Sequence, residues 1–248
     1  MSAPLLDVQN LCKRFGGVLA TDHVNLQIRR GEVHALIGPN GAGKTSLVSQ
    51  LAGQLAPDSG RIVFDGVDIT QQSPHRRAQL GLARSFQITR LFKTFTVVEH
   101  LALALQAVQG SSLRAWAPVR QERDVFEKAL AMLPALSLQD HADAGIDTLS
   151  HGQRRALEVG MAVAAKPQLV LLDEPMAGMG PDESQRMEAL IQQLRASTTL
   201  LLIEHDVDAV FRLADRVSVL VSGRIVASGT PDEVRRHEQV IAAYLGQD

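Results

Sequence analysis

The spacing G-x-x-x-x-G-K-T occurs in the stretch Gly38-Pro39-Asn40-Gly41-Ala42-Gly43-Lys44-Thr45. Its glycines allow backbone N–H groups to converge without interference from Cβ atoms. Converging N–H groups at a helix N-terminus attract anions, and this pattern is typical of a loop that holds nucleotide phosphates. In such a loop Lys44 supplies a positive charge for the β- and γ-phosphates, and the Thr45 hydroxyl supplies an oxygen ligand for Mg²⁺.

The residues on either side predict the elements that such a loop requires. Residues 33–37 form a short, mostly apolar run that is typical of a buried strand. Residues 46–52, beginning with Ser46, carry apolar side chains at helical spacing and stop at Gly53, a suitable residue after a helix C-terminus. The alternative is a glycine-rich turn without a ligand, but the order strand, loop, helix favours the phosphate site. Residues 38–45 are called the P-loop below.

A second candidate site begins where another apolar run ends. Residues 169–172 are Leu-Val-Leu-Leu, and Asp173, Glu174 and Pro175 follow directly. Sites of this kind hold Mg²⁺ with a carboxylate at the C-terminal end of a strand, and Asp173 fits that role. Glu174 is placed to reach the water that attacks the γ-phosphate. Two adjacent carboxylates after a buried strand are costly without a cation, which disfavours a purely structural role.

Three further features each allow two interpretations, and a fourth, Gln87, indicates no function by itself. Phe15 precedes a glycine pair and either stacks on a nucleotide base or belongs to the core. Gln87 ends an apolar stretch and on its own fits a solvated surface position. Ser150 suits a helix N-cap, and with Gly152 it opens a helix that either binds an anion or is simply capped. His205 follows a predicted strand and either contacts the γ-phosphate or lies at the surface.

Composition narrows the class of protein. The 248 residues are 45% hydrophobic, which supports a sizeable core, and the formal net charge of −2 provides no strong attraction to nucleic acid or to an anionic membrane. The single cysteine, Cys12, excludes an internal disulfide and fits a reducing compartment. No apolar run approaches the roughly 20 residues that span a bilayer, and no signal peptide is recognised at the N-terminus.

Strand and helix patterns alternate along the chain, which predicts an α/β fold with a mostly parallel sheet. Residues 5–30 indicate an antiparallel strand–turn–strand unit at the N-terminus. We expect a nucleotide-binding core over residues 1–87 and 166–248, a helical subdomain inserted at 88–165, and a C-terminal helix over 230–248. Together these form a single domain of 248 residues.

Taken together, these stretches resemble the nucleotide-binding subunits of ABC transporters over nearly the whole chain. The P-loop resembles their Walker A motif, and residues 169–173 resemble Walker B. The segment before Walker B, residues 149–153, resembles the family's signature motif and is called the signature segment below. The resemblance gives the following further matches: Phe15 to the base-stacking aromatic, Gln87 to the Q-loop glutamine, Glu174 to the catalytic glutamate, and His205 to the switch histidine.

Two positions depart from the family pattern. The usual signature is LSGGQ, and His151 stands in place of its first glycine, although Ser150 and Gly152 remain. The family's D-loop usually carries an aspartate where this chain has Gly180. The second departure bears on how the two sites of a dimer communicate, whereas metal and phosphate ligands are retained.

The resemblance implies an ATP hydrolase of the P-loop class with ATP and Mg²⁺ bound between two subunits. Lys44 and the amides of the P-loop hold the phosphates, while Thr45, Gln87 and Asp173 bind the metal or its water. Ser150, Gly152 and Gln153 belong to the other half of the site and contact the nucleotide of the partner. The catalytic set is Glu174, His205, Gln87 and Lys44, and the nucleotide-binding set is Phe15, Gly38, Pro39, Asn40, Gly41, Ala42, Gly43, Lys44, Thr45, Ser46, Ser150, Gly152 and Gln153.

Finer matches resemble the LivG-type ATPases of branched-chain amino-acid importers. They are residues 84–87 and 90–92, residues 177–181, residues 203–206 and the C-terminal residues 240–246. This implies transmembrane permease subunits as partners, a second cassette that forms a homodimer or heterodimer with the chain, and indirect coupling to an extracytoplasmic solute-binding protein. It also implies a peripheral location on the cytoplasmic face of the inner membrane, and no nucleic-acid partner.

Three alternatives remain at this point. Related importer ATPases serve urea or short amides, and one relative powers lipopolysaccharide export. A non-transport ABC ATPase is disfavoured because the chain has one cassette and no sustained heptads. A regulator that binds ATP without hydrolysing it is disfavoured because both Glu174 and His205 are present.

Overall fold

The computed structural model describes residues 3–85, 91–108 and 123–241. Within them, ten strands form two sheets. The strands are β1 Leu6–Phe15, β2 Val18–Ile28, β3 Val33–Ile37, β4 Ser59–Phe64, β5 Val67–Asp68, β6 Leu82–Arg84, β7 Leu169–Asp173, β8 Thr199–Ile203, β9 Arg216–Val221 and β10 Arg224–Gly229. The helices are α1 Lys44–Leu51, α2 Pro74–Gln79, α3 Val97–Val108, α4 Arg123–Met132, α5 His151–Ala164, α6 Pro181–Arg195, α7 Val207–Leu213, α8 Pro231–Arg235 and α9 Glu238–Val240.

The larger sheet has the strand order β10-β9-β3-β8-β7-β6. Every neighbouring pair from β9 to β6 is parallel, and only the edge strand β10 pairs antiparallel, with β9. The smaller sheet has the order β2-β1-β4-β5 and is antiparallel throughout. The predicted α/β fold with a mostly parallel sheet and an N-terminal antiparallel unit is therefore confirmed.

The central strands are buried on both faces, which explains their continuous apolar sequences. Leu169 and Leu171 of β7 face a core shared with α1 and the antiparallel sheet. Val170 and Leu172 face the opposite core, which is built with α3, α4, α5 and α6. Because alternate residues of a strand point to opposite faces, each apolar run supplies both cores at once. This double burial fixes the position of the carboxyl ends of the strands.

Between β6 and β7 the structure describes helices and short 3-10 turns, as expected from the sequence of this region. Thr96 accepts a hydrogen bond from the backbone of Glu99, whose carboxylate accepts one from the Thr96 N–H, so a capping box opens α3. Among the described helices, none is long and apolar enough to cross a membrane.

Two features do not follow from the sequence patterns. Residues 74–79 form the short helix α2, and its Arg77 is buried. Arg77 donates hydrogen bonds to Gln50 O and Leu51 O at the end of α1, and burial lowers the pKa of its guanidinium to about 10. The expected C-terminal helix is interrupted, since α8 ends at Arg235 and His237 has extended backbone angles before α9 begins.

Candidate active site

The P-loop joins β3 to α1 at the carboxyl edge of the larger sheet. A Cβ atom on Gly43, which has a φ of 104°, would lie 2.0 Å from the carbonyl oxygen of Ala20. A Cβ atom on Gly38 would lie 2.2 Å from the carbonyl oxygen of Leu220. Both glycines are thus required by close main-chain packing, and Gly43 is required by its backbone angle as well. The loop is held between β2 and β9 by backbone contacts.

Lys44 is the first residue of α1 and its side chain turns back over the P-loop. Its Nζ donates hydrogen bonds to Gly38 O at 2.6 Å and to Pro39 O at 3.1 Å. Burial lowers the pKa of Lys44, while the charges of Glu174 and Asp173 act in the opposite direction. The ammonium group therefore lies in the field of both carboxylates that end β7.

Asp173 is the last residue of β7 and is almost fully buried, with 2% of its surface exposed. Its Oδ2 accepts a hydrogen bond of 2.7 Å from Nη2 of Arg84, the last residue of β6. Arg84 also donates to Ser49 Oγ and to Gln54 Oε1, so its guanidinium connects β7 to α1 and to the loop after it. This network fixes the orientation of the carboxylate that the sequence predicts as a metal ligand.

Glu174 follows Asp173 with a φ of 48°, a conformation that is uncommon for residues other than glycine. Its backbone N–H donates to Ile203 O at 2.9 Å, which extends the pairing of β7 with β8 by one residue. Glu174 is only partly buried, in contrast to Asp173 before it. Strained backbone of this kind clusters at functional sites, which makes the position notable.

Two residues that follow β8 lie next to Glu174. His205 Nδ1 is 3.9 Å from Glu174 Oε1 and 4.0 Å from Glu204 Oε2. The Glu204 side chain is buried and accepts hydrogen bonds from the backbone N–H groups of Met176 and His205. Burial raises the pKa of the Glu204 carboxyl despite these hydrogen bonds. Glu204 thus joins the segment after Glu174 to the segment that carries His205.

Parallel strand order explains why these groups meet. β3, β8 and β7 are adjacent, and their carboxyl ends lead into the P-loop, the Glu204–His205 pair and the Asp173–Glu174 pair. Ligands bind outside the carboxyl ends of strands in open α/β sheets. The predicted phosphate, metal and water-activating residues therefore share one edge of the sheet.

The signature segment forms the N-terminus of α5. Ser150 is the N-cap, and it exchanges hydrogen bonds with Gln153 in a complete capping box. Ser150 Oγ donates to Glu183 Oε1 at 2.7 Å, and the Gly152 N–H donates to the same oxygen at 3.2 Å. His151, the residue that departs from the family pattern, has Nε2 at 3.0 Å from Ala177 O. Within the described ranges, no hydrogen bond joins the signature segment to the P-loop.

The remaining predicted residues are an aromatic and a glutamine. Phe15 ends β1, is 50% exposed and has Lys13 Nζ at 5.7 Å from its ring centroid. The core alternative for Phe15 is therefore wrong. The neighbouring strand β2 contacts the P-loop through Ala20, so Phe15 lies at the end of a strand that pairs with the one bordering the P-loop. Gln87 lies outside the described residues.

Three residues of the site have no role in the sequence-based expectations: Arg84, Glu183 and Glu204. Arg84 and Glu204 stand inside the stretches that resemble the LivG type, where their neighbours Gln87 and His205 attract attention. Glu183 has no local signal, because an acidic residue in the first turn of a helix is ordinary. Only the three-dimensional contacts single out these three side chains.

Comparison with known proteins identifies the family. The family described as ABC transporter matches residues 21–177, and the one described as branched-chain amino acid ATP-binding cassette transporter matches residues 224–248. The high-affinity branched-chain amino acid transport ATP-binding protein BraF of Pseudomonas aeruginosa is 40% identical, with 100% of both chains covered. The corresponding LivG protein of Escherichia coli is 37% identical, again with 100% of both chains covered.

Solved structures agree with this assignment. The ADP conformation of an ATP-binding cassette of an ABC transporter has a TM-score of 0.88 and 32% identity, and the match covers 99% of this chain and 100% of that one. A nucleotide-free cassette has a TM-score of 0.86 and 31% identity, and the match covers 98% of this chain and 100% of that one. The chain therefore belongs to the ABC transporter family, as an ATP-binding and ATP-hydrolysing cassette similar to BraF and LivG.

Proposed function

We propose that this cassette powers the import of branched-chain or related amino acids by hydrolysing Mg-ATP. The observation that carries the choice of substrate is the full-length similarity to BraF and LivG, which are branched-chain amino acid transport ATP-binding proteins. The observation that supports hydrolysis is the convergence of the P-loop, Asp173, Glu174 and His205 at one edge of the sheet.

The P-loop holds the phosphates through its backbone amides and through Lys44. Gly38 and Gly43 allow the tight loop, whose other members are Pro39, Asn40, Gly41 and Ala42, while Ser46 continues the first turn of α1. The exposed Thr45 hydroxyl and the buried Asp173 carboxylate are oxygen donors, which is the ligand type that Mg²⁺ prefers. When bound, Mg²⁺ neutralises charge on the phosphates. Gln87 completes this set in the proposal.

Glu174 accepts a proton from the attacking water, and His205 positions the γ-phosphate. The separation of 3.9 Å between His205 Nδ1 and Glu174 Oε1 supports these linked roles, because both side chains can then reach the same phosphate. Glu204 holds the two segments together through the N–H groups of Met176 and His205. Phosphoryl transfer depends mainly on positioning and charge stabilisation, so each of these groups is expected to matter.

The second half of the site comes from another cassette. Phe15 stacks on the adenine, while the signature residues Ser150, Gly152 and Gln153 face the nucleotide that the partner cassette holds. The exposed position of Ser150 supports this arrangement, because the start of α5 is accessible to another subunit. ATP then closes the pair of cassettes, and hydrolysis opens it.

The substitution Glu174→Gln tests hydrolysis. It removes the proton acceptor while it preserves size, so we expect ATP binding within about twofold of wild type and a loss of turnover of about 10²-fold or more. Turnover is measured by phosphate release and binding by isothermal calorimetry. Glu188→Gln, which alters the ion pair between Glu188 on α6 and Arg212 on α7, is the matched control. Near-normal turnover in Glu174→Gln would reject Glu174 as the base.

Co-expression with permeases tests transport. The proposed partners are transmembrane permease subunits, which the cassette meets at the cytoplasmic face of the inner membrane, a second cassette identical or similar to this one, and, indirectly, an extracytoplasmic solute-binding protein. We expect co-purification with the permeases and stimulation of ATPase activity by leucine, isoleucine or valine in the presence of the binding protein. Stimulation by urea or amides alone contradicts the amino-acid substrate, and failure to associate with any membrane subunit contradicts transport.

A further inference from the structure

The anion site of the signature segment is filled by a carboxylate of the same chain. Glu183 lies in the first turn of α6, and its Oε1 accepts hydrogen bonds from Ser150 Oγ at 2.7 Å and from the Gly152 N–H at 3.2 Å. These are the two groups that, in the proposed function, face the γ-phosphate of the nucleotide on the partner cassette. Glu183 therefore satisfies in its own subunit the donors that the partner's nucleotide requires.

Carboxylate and phosphate oxygens select the same donors. Both accept charge-assisted hydrogen bonds from hydroxyl and N–H groups, and both are attracted to the N-terminus of a helix. The hydrogen bond from Ser150 and, to a lesser extent, that from Gly152 hold the pKa of Glu183 below its ordinary value. The side chain is consequently an anion at neutral pH.

The contact between the Glu183 carboxylate and Gly152 leaves no room for a second anion. A Cβ atom built on Gly152 would lie 2.7 Å from Glu183 Cδ and 2.9 Å from its Oε1, so the carboxylate rests directly on the main chain of the helix start. A phosphate oxygen cannot reach the Gly152 N–H while the carboxylate is there. Like charges at this distance also repel each other.

We propose that Glu183 is a positioning residue that competes with the γ-phosphate of the partner's nucleotide for the signature segment. In the separated cassette it keeps Ser150 and Gly152 ordered and occupied. Closure of two cassettes on ATP then requires Glu183 to leave, which sets the ATP concentration at which the pair forms. The inference rests on the proposed two-cassette site.

The surroundings of Glu183 provide for its displacement. Arg186 follows three residues later on the same helix and already acts on Glu183 electrostatically, so it is a ready alternative partner. A cavity of about 300 Å³ adjoins the contact and is lined in part by Gln153, Glu183, Arg186 and Met187. The carboxylate can rotate away from Gly152 without disturbing the core.

A second contact, made by His151, joins the start of α5 to the turn that precedes α6. His151 Nε2 lies 3.0 Å from Ala177 O, in the turn that leads into α6. The start of α5 is thus joined to the start of α6 both by Glu183 and by His151. When the carboxylate leaves, His151 retains the link between the signature segment and the turn after Glu174.

Residue-specific amide spectra of the ¹⁵N-labelled full chain test the competition directly. Inorganic phosphate is titrated into wild type, Glu183→Gln and Glu183→Ala, and the Gly152 and Gln153 amide shifts give the affinity at the signature segment alone. We expect affinity to rise from wild type to Gln to Ala, with an apparent Kd at least about fivefold lower in Glu183→Ala. Glu188→Gln removes a charge from the same helix and is expected to match wild type, because Glu188 pairs with Arg212.

Two outcomes overturn the inference. One is equal phosphate affinity at Gly152 in wild type and Glu183→Ala. The other is the absence of any response at Gly152 in all variants. Glu183→Gln preserves the side-chain volume, so it decides the question if the alanine variant is poorly folded by thermal unfolding.

ATP-driven association separates this inference from the proposed function. In the Glu174→Gln background, adding Glu183→Gln is expected to lower the ATP concentration for half-maximal cassette association by about fivefold. The ATP affinity of the separated chain is expected to stay unchanged. If neither background associates at any ATP concentration, the two-cassette site is wrong, and the phosphate titration still decides whether Glu183 competes.

Discussion

The P-loop and the signature segment both lie at a helix N-terminus, of α1 and α5 respectively, but different groups surround these two ends. Gly43, the N-cap of α1, makes no side-chain cap hydrogen bond, and the first turn of α1 contains no acidic residue. Ser150, the N-cap of α5, takes part in a complete capping box and also binds Glu183. The main chain shapes the first end, whereas side chains satisfy the second.

This difference indicates separate roles for the P-loop and the signature segment. A loop that main-chain packing holds between β2 and β9 presents the same amides whatever else the protein does. An end that side chains satisfy can exchange them for another anion at modest cost, because a phosphate oxygen replaces each charge-assisted hydrogen bond, worth about 1.5–3 kcal/mol net, with one of the same kind. The first arrangement suits permanent nucleotide binding, and the second suits an interaction that forms and breaks in each cycle.

The largest expected effect comes from adding a side chain to the tightly packed P-loop. In Gly43→Ala the new Cβ atom meets the Ala20 carbonyl oxygen, and the backbone is strained as well. We expect ATP affinity to fall at least about 100-fold, measured by calorimetry. Gly31→Ala is the control, because Gly31 also has positive φ but open space around its Cβ position. A similar loss of affinity in Gly31→Ala would contradict the packing argument.

A smaller effect is expected from removing the partner of Asp173. Arg84→Met leaves the nearly buried carboxylate without its ion pair, and we expect a loss of about 3 kcal/mol in the free energy of unfolding measured with urea. The double variant Arg84→Met with Asp173→Asn removes the unpaired charge and should recover part of this loss. If the single and double variants have equal free energies of unfolding, the ion pair between Arg84 and Asp173 does not stabilise the region of the P-loop.

The smallest effect on stability is expected from a substitution in the signature segment. His151→Ala removes the hydrogen bond to Ala177 O at an exposed position, so the free energy of unfolding should fall by only about 0.5–1 kcal/mol. His75→Ala, at the exposed start of α2, is the control for loss of a helical histidine. A loss as large as that of Arg84→Met would mean that the signature segment is as rigidly held as the P-loop.

The same contrast explains which parts were predictable from sequence. The strands that carry the site are apolar runs buried on both faces and bounded by glycine or acidic residues, so their extent and their carboxyl ends follow from local pattern. The P-loop needs glycines at fixed spacing, and it is recognisable in the sequence for that reason. The predicted α/β architecture with a mostly parallel sheet is accordingly confirmed.

Long-range polar contacts were not predictable. Arg84 and Asp173 are 89 residues apart, and Ser150 and Glu183 are 33 apart, so no periodicity connects the members of either pair. Arg77 was missed for a related reason, because a six-residue helix has little amphipathic signal and a buried arginine contradicts its usual exposure. Side chains that act through distant partners require the fold before they can be recognised.

The central claim is that the P-loop binds the nucleotide of its own subunit and the signature segment binds that of the partner. The most direct test compares the ATP dissociation constants of the separated wild-type, Lys44→Ala and Ser150→Ala chains. The account predicts that Lys44→Ala weakens binding at least about tenfold, because the P-loop holds the nucleotide of its own subunit. It predicts that Ser150→Ala binds within about twofold of wild type, because the signature segment serves the partner's nucleotide. Equal weakening in both variants would contradict the division of labour between the two helix ends.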